Sequence, residues 1–199
     1  MRNVVIVFMA ILLFAGCGGK KADDESKKDI LQTTDEVAVI QTRLGEIVLE
    51  FFPDVAPQHV NNFKKLARAG FYDGITFHRV IPGYIIQGGD PNSRDDDRSN
   101  DGQGGPGYTI PAEFNDRPHL RGTLSMARGQ DPNSAGSQFF ICLAPAPNLD
   151  GEYTAFGQTV EGMDVLDKYN QVVTVPSATG EKSKPQEPLY VIKATVLSE

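Results

Sequence analysis

Residues 77–91 read FHRVIPGYIIQGGDP. Two short strand-like runs lie in and beside this stretch, Thr76–Val80 and Tyr84–Gln87, rich in the β-branched and aromatic residues that suit a pleated surface. Upstream, the pattern alternates. Val37, Val39 and Gln41 point one way, and Ala38, Ile40 and Thr42 the other. Arg43, Leu44 and Gly45 make a turn, and Ile47, Leu49 and Phe51 share one face of Glu46–Phe52, so the pair reads as a hairpin. Pro57 then opens a helix, where its missing N–H costs nothing. Val60, Phe63 and Ala67 recur at helical spacing with Leu66 beside them, and Gly70 ends the run. Downstream, Thr123–Ala127 and Gln138–Leu143 read as short strands, Gly162–Tyr169 as a second short helix, and Leu189–Leu197 alternates again. Many short strands with two helices predict a mainly β domain, a closed antiparallel barrel capped by two α-helices, since closure removes exposed strand edges.

The 199 residues leave room for one domain once a targeting segment is set aside. Hydrophobic residues make up 40% and charged residues 23%, as in a soluble globular protein. The net charge of -7 argues against nucleic acid as a partner, because a phosphate backbone selects a basic surface. Cys17 and Cys142 cannot supply a disulfide framework, and Cys142, in an apolar run, reads as a buried free thiol. His59, His78 and His119 lack metal-ligand spacing and read as structural or surface residues; no metal or cofactor is expected. Asp97, Ser99, Asp101 and Gly102 imitate the opening of a calcium loop, but its twelfth position is Tyr108, so Asp95–Gly107 reads as a polar surface loop.

The start of the chain follows different rules. Met1 and Arg2 precede the apolar run Val4–Ala15, which at about 12 residues is too short to span a bilayer and fits a signal h-region. The stretch Leu13–Cys17 resembles the lipobox of bacterial lipoproteins, with Phe14 where Leu is usual. The resemblance implies a signal peptide at 1–16 and lipidation of Cys17, hence an extracytoplasmic protein anchored to a bacterial membrane. Residues 17–36 then read as the lipidated cysteine and a flexible tether of roughly 25 Å reach, too poor in apolar surface to fold. The folded domain is expected over 37–199.

Four strings stand in order along that domain: FHRVIPGYIIQGGDP from Phe77, GTLSMAR from Gly122, GSQFFI from Gly136 and LDGEYTAFGQTVEG from Leu149. Together they closely resemble the cyclophilin family of peptidyl-prolyl cis/trans isomerases, from about Val37 to Val196. The resemblance implies an eight-stranded antiparallel barrel capped by two helices. It implies that Arg79 is the active-site arginine, braced by Gln87. It places the pocket at Tyr84, Ile85, Met126, Phe140 and Leu149, with Gln138 lining the groove and Ala127 and Arg128 beside the substrate. Asn148 stands where these enzymes often have Trp, and Tyr153 where they often have His. Without that Trp, weak cyclosporin binding is expected.

The chemistry needs these residue types. The X–Pro amide has a rotation barrier of about 18–20 kcal/mol and isomerises over tens of seconds or longer. No covalent bond to substrate need form, so no nucleophile is required. A catalyst should grip the proline ring and stabilise the twisted amide as its resonance is lost. An arginine stays charged and presents rigid donors, and its hydrogen bond to the proline nitrogen or a nearby carbonyl strengthens at the transition state. Phe140, Ile85 and Leu149 would hold the ring. By alternation Phe139 belongs to the core and Phe140 to the groove. Taken alone, Arg79 reads more readily as a surface ion-pair partner; the surrounding motif selects the catalytic role. The expected substrates are proline-containing segments of unfolded or flexible proteins, and the expected state is a monomer. The rival readings are a non-catalytic chaperone module that grips proline peptides, and a surface adhesin.

Overall fold

The computed structural model describes residues 36–198. The expected signal peptide, the lipidation site Cys17 and all but the last residue of the expected tether lie outside the described residues. Strand β1 (Glu36–Thr42) begins one residue before the predicted boundary, and the Glu36 carboxylate pairs with Lys64 at 3.1 Å and with Arg68. Hairpin partner β2 (Gly45–Phe51) follows, then helix α1 (Pro57–Arg68), β3 (Arg79–Ile81) and β4 (Ile85–Gly88). The remaining elements are β5 (Thr123–Met126), β6 (Phe139–Cys142), β7 (Thr154–Glu161), helix α2 (Met163–Tyr169), β8 (Thr174–Pro176), β9 (Lys182–Pro185) and β10 (Val191–Ser198).

Eight strands form one antiparallel sheet in the order β10-β1-β2-β7-β5-β6-β4-β3, and β8 and β9 form a separate hairpin. The sheet is curled but open, a half-barrel, so the expected closed barrel is corrected. The reason lies in residues 74–77, which turn toward β10 before β3 begins. Gly74 N–H donates to the Val191 carbonyl, Val191 N–H to Ile75 and Phe77 N–H to Leu189, at 2.8–2.9 Å. These bonds take up the start of the β10 edge, and the three-residue β3 does not pair with β10. The predicted strand Thr76–Val80 therefore shrinks to Arg79–Ile81, with one isolated bridge between Thr76 and Tyr190.

The core lies in the concave side of the sheet under α1. Ala38 and Ile40 from β1 and Ile47 and Leu49 from β2 are fully buried, as the alternation predicts. Phe63 of α1 is the hub, its ring centroid 4.9–5.8 Å from those of Phe51, Tyr72, Phe139 and Phe156. Each such burial contributes about 1.5–3 kcal/mol. No side chain of its own caps the start of α1. Instead Glu113, more than 50 residues on in sequence, accepts the backbone N–H groups of Gln58 and His59, both at 3.0 Å, placing negative charge at the positive end of the helix. At the other end Gly70 takes φ +67°, and the N–H of Phe71 returns to the carbonyl of Leu66.

Candidate active site

Strand register decides which side chains share the outer face of the sheet. Arg79 lies opposite Gln87, Gln87 opposite Phe140, and Phe140 opposite Ser125. Directly opposed residues point to the same side, so one row crosses β3, β4, β6 and β5. The next row on that face holds Ile81, Ile85 and Cys142. The alternate rows, with Val80, Ile86, Ile141 and Leu124, point into the main core.

The polar half of the site is a hydrogen-bonded chain. Arg79 Nη1 donates to Gln87 Oε1 at 3.2 Å, and Gln87 Nε2 donates to Gln138 Oε1 at 3.0 Å. Gln138 Nε2 donates to the carbonyls of Gly102 and Gly104, both at 2.9 Å. Two clefts flank this chain. One, of about 670 Å³, runs along Gly102–Thr109, Ala127–Gly129 and Gly136–Gln138. The other, of about 830 Å³, lies between residues 98–103 and the β8–β9 hairpin, with His78 and Arg79 in its wall. Gln87 borders both.

The apolar half is a second cluster, separate from the main core. Ile85, Phe140, Cys142, Ala146 and Leu149 are buried in it, and Ile81, Tyr84, Ala127 and Tyr153 pack against them. Tyr153 meets the Phe140 ring edge-on at 5.6 Å, and Asn148 Nδ2 donates to Tyr84 Oη at 2.9 Å. Arg128 lies with its guanidinium 4.9 Å from the Tyr153 ring centroid and donates to the Glu152 carbonyl at 3.0 Å. Burial pushes the Cys142 thiol up to about 12, so it is inert near neutral pH. Among the sequence-predicted site residues, Met126 stands apart. It pairs with Phe139, is 1% exposed and belongs to the main core.

Two parts of the site escaped sequence reasoning. His119 stacks on Phe140 at 6.0 Å, with Nδ1 2.9 Å from Asp150 and Nε2 2.8 Å from Ser125 Oγ. This has the connectivity of a serine-hydrolase triad, but Ser125 is fully buried, so a substrate carbonyl has no access to it. The trio instead backs the Phe140 ring. The other part is Glu181, at the end of the turn between β8 and β9. It accepts from Arg79 Nε at 2.7 Å and from Nη2 at 2.8 Å. That bidentate hold pulls the Glu181 carboxyl down to about 2. Arg79 is thus an ion-pair partner as well as a groove residue. The signal for Glu181 was absent from its own segment, SATGEKSK, because its partner lies 102 residues away.

Residues 37–196 match the family model described as cyclophilin type peptidyl-prolyl cis-trans isomerase/CLD. The chain belongs to the cyclophilin family. A peptidyl-prolyl cis-trans isomerase of Synechococcus elongatus is 57% identical over 122 residues, spanning 61% of this chain and 79% of that protein. One from Helicobacter pylori is 47% identical over 152 residues, spanning 74% and 87%. The crystal structure of a cyclophilin-type isomerase of Cryptosporidium parvum, obtained in the presence of the dipeptide Ala-Pro, superposes with a TM-score of 0.73 at 31% identity. It covers 82% of this chain and 99% of that one. With homologues named as isomerases over most of its length, this cyclophilin is a peptidyl-prolyl cis/trans isomerase.

Proposed function

We propose that the outer face of β3, β4 and β6 is where this cyclophilin turns the X–Pro bond, with Arg79 stabilising the twisted amide. The observation that carries this is the register row Arg79–Gln87–Phe140, which puts a fixed guanidinium and an apolar ring on one face. Phe140, Ile85 and Leu149 hold the proline ring, and Tyr84 and Tyr153 border it. The amide of Gln87 orients the guanidinium, while Ala127 and Arg128 run beside the substrate backbone. A 10⁵-fold acceleration needs about 7 kcal/mol. One charge-assisted hydrogen bond contributes about 1.5–3 kcal/mol, so apolar grip and orientation carry the rest. The test is a protease-coupled proline-peptide assay on the purified protein. Arg79→Ala lowers turnover by orders of magnitude with the fold intact, and Arg79→Lys stays poor because a point charge does not reproduce the planar fork. Near wild-type turnover in Arg79→Ala would remove Arg79 from the mechanism. Peptide binding without acceleration by the wild type would favour the chaperone reading.

We further propose that the enzyme works outside the cytoplasm as a lipid-anchored monomer, on proline-containing segments of unfolded or flexible proteins. The short apolar run before Cys17 and the polar segment after it support this. One acyl chain anchors only marginally and two or more hold stably, which a diacylglyceryl cysteine satisfies. Mass measurement of the mature amino terminus, and membrane fractionation of Cys17→Ser, test it. An unmodified wild-type Cys17 would leave the anchor without a basis.

A further inference from the structure

Glu181 holds the Arg79 guanidinium in a bidentate contact. An arginine side chain has five N–H donors in a rigid fork. Here Glu181 engages the Nε and one Nη2 proton, and Gln87 engages one on Nη1. One proton on Nη1 and one on Nη2 remain. The main chain that carries this carboxylate is anchored. The Glu181 backbone carbonyl accepts the N–H of Ser177 at 2.7 Å and that of buried Ser183 at 2.9 Å. The hairpin carrying it is tied to the loop opposite. Lys184 Nζ donates to the Arg98 carbonyl, and Arg98 Nη2 to the Pro185 carbonyl, both at 2.8 Å. That loop continues to Gly102, whose carbonyl holds Gln138, which in turn holds Gln87. The contacts form a closed ring that starts and ends at the Arg79 guanidinium.

We propose that Glu181 is a positioning residue for prolyl isomerisation, fixing with Gln87 the guanidinium of Arg79 so that its two remaining N–H groups are presented to the twisted amide. The inference rests on the role of Arg79 proposed above. An unheld arginine samples many rotamers, and a substrate that orders it gives up binding energy in doing so. A held one is already in place when the charge shifts, which is where a preorganised donor acts. The carboxylate also lowers the net charge at the guanidinium. The proposal is that orientation outweighs this loss, so removing Glu181 slows the enzyme.

The experiment measures kcat, KM and peptide affinity for the wild-type chain and for Glu181→Ala, Glu181→Gln and Glu181→Asp, each alone and in the Arg79→Ala background, with thermal unfolding as a fold check. Glu181→Ala is expected to lower kcat/KM by about tenfold, chiefly in kcat, with peptide affinity little changed. Glu181→Gln should retain part of the activity, because its amide oxygen still accepts a bond. In the Arg79→Ala background the loss should vanish, since the effect passes through Arg79. The Arg79 Nε–H resonance should exchange slowly in the wild type and fast in Glu181→Ala. Activity at or above wild type in Glu181→Ala would overturn the proposal, as would an equal loss in both backgrounds. Wild-type turnover in Arg79→Ala alone would instead overturn the role of Arg79.

Discussion

Phe140 is 3% exposed, yet it sits on the face of the sheet that carries Arg79 and Gln87. Its ring is held from two sides, by His119 in stacked contact and by Tyr153 edge-on. Such aromatic pairs contribute about 0.5–1.5 kcal/mol beyond area burial. Phe140→Ala should therefore weaken proline-peptide binding and lower kcat/KM, and should also cost about 3–5 kcal/mol of stability. Phe140→Leu separates the two effects, keeping most of the volume while losing the flat ring. Peptide titration and denaturant unfolding read both, and unchanged affinity in either variant would move the pocket elsewhere. A second prediction belongs to Asn148. Its exposed side chain supplies one hydrogen bond to Tyr84 and little apolar area. Cyclosporin should bind weakly, and Asn148→Trp should tighten it by adding an indole face and a donor. Tight binding by the wild-type protein would refute this.

At the scale of elements, alternation accounts for most of what could be read in advance. It gave the buried faces of β1 and β2 and the split between Phe139 and Phe140, while helical spacing gave the core face of α1. The same rule applied to β5 places Met126 inward beside Leu124, where the pocket reading had put it in the groove set. The site was legible because its residues lie in short local strings. The unread parts lack a local signal. Strand β7 is buried on both faces from Thr154 to Gly157, so it shows no alternation, and β8 and β9 are short, polar and contain Pro176 and Pro185. Which sheet edges pair, and that Glu181 reaches Arg79, depend on contacts across the whole chain. Gly157 shows how tightly β7 is confined. It faces both Phe51 and Leu124, and a Cβ there would lie 2.4 Å from the Glu50 carbonyl oxygen. Backbone cannot yield as a side-chain tip can, so Gly157→Ala should destabilise by about 1–3 kcal/mol. An unchanged denaturation midpoint would show that β2 and β7 separate freely.

For the molecule as a whole, buried ionisable groups define a window of stability in pH. Burial holds His59, His119 and His78 below the ordinary imidazole value, with Glu113 and Asp150 offsetting part of the effect at the first two. His78 goes furthest, to about 4; nearby Asp90 opposes the shift and Arg79 adds to it. The unfolded chain titrates its histidines at about 6.5. Below that pH it binds more protons than the folded chain, so stability falls as pH falls. For His78 the loss runs from about pH 6.5 down to about 4, and totals roughly 3 kcal/mol. The carboxylates act later and in the same direction. Glu181, at about 2, and Asp150, also lowered, by its bonds to His119, stabilise the fold above the ordinary carboxylate range, and this is lost as pH falls through their folded values. On the alkaline side Cys142 and Tyr169, both pushed up to about 12 by burial, stay protonated in the fold while the unfolded chain ionises, so stability falls as pH rises past about 9. Denaturant midpoints across pH 4–10 should trace a plateau between about pH 6.5 and 8.5, with an acid limb that begins at the histidine value and not at the carboxylate value. His78→Phe should flatten the upper part of that limb, and the ring resonances of His78 in the wild-type protein should not titrate until well below pH 6. A native His78 titrating near its ordinary value, or midpoints that stay level from pH 7 to 5, would show that its burial carries no such penalty.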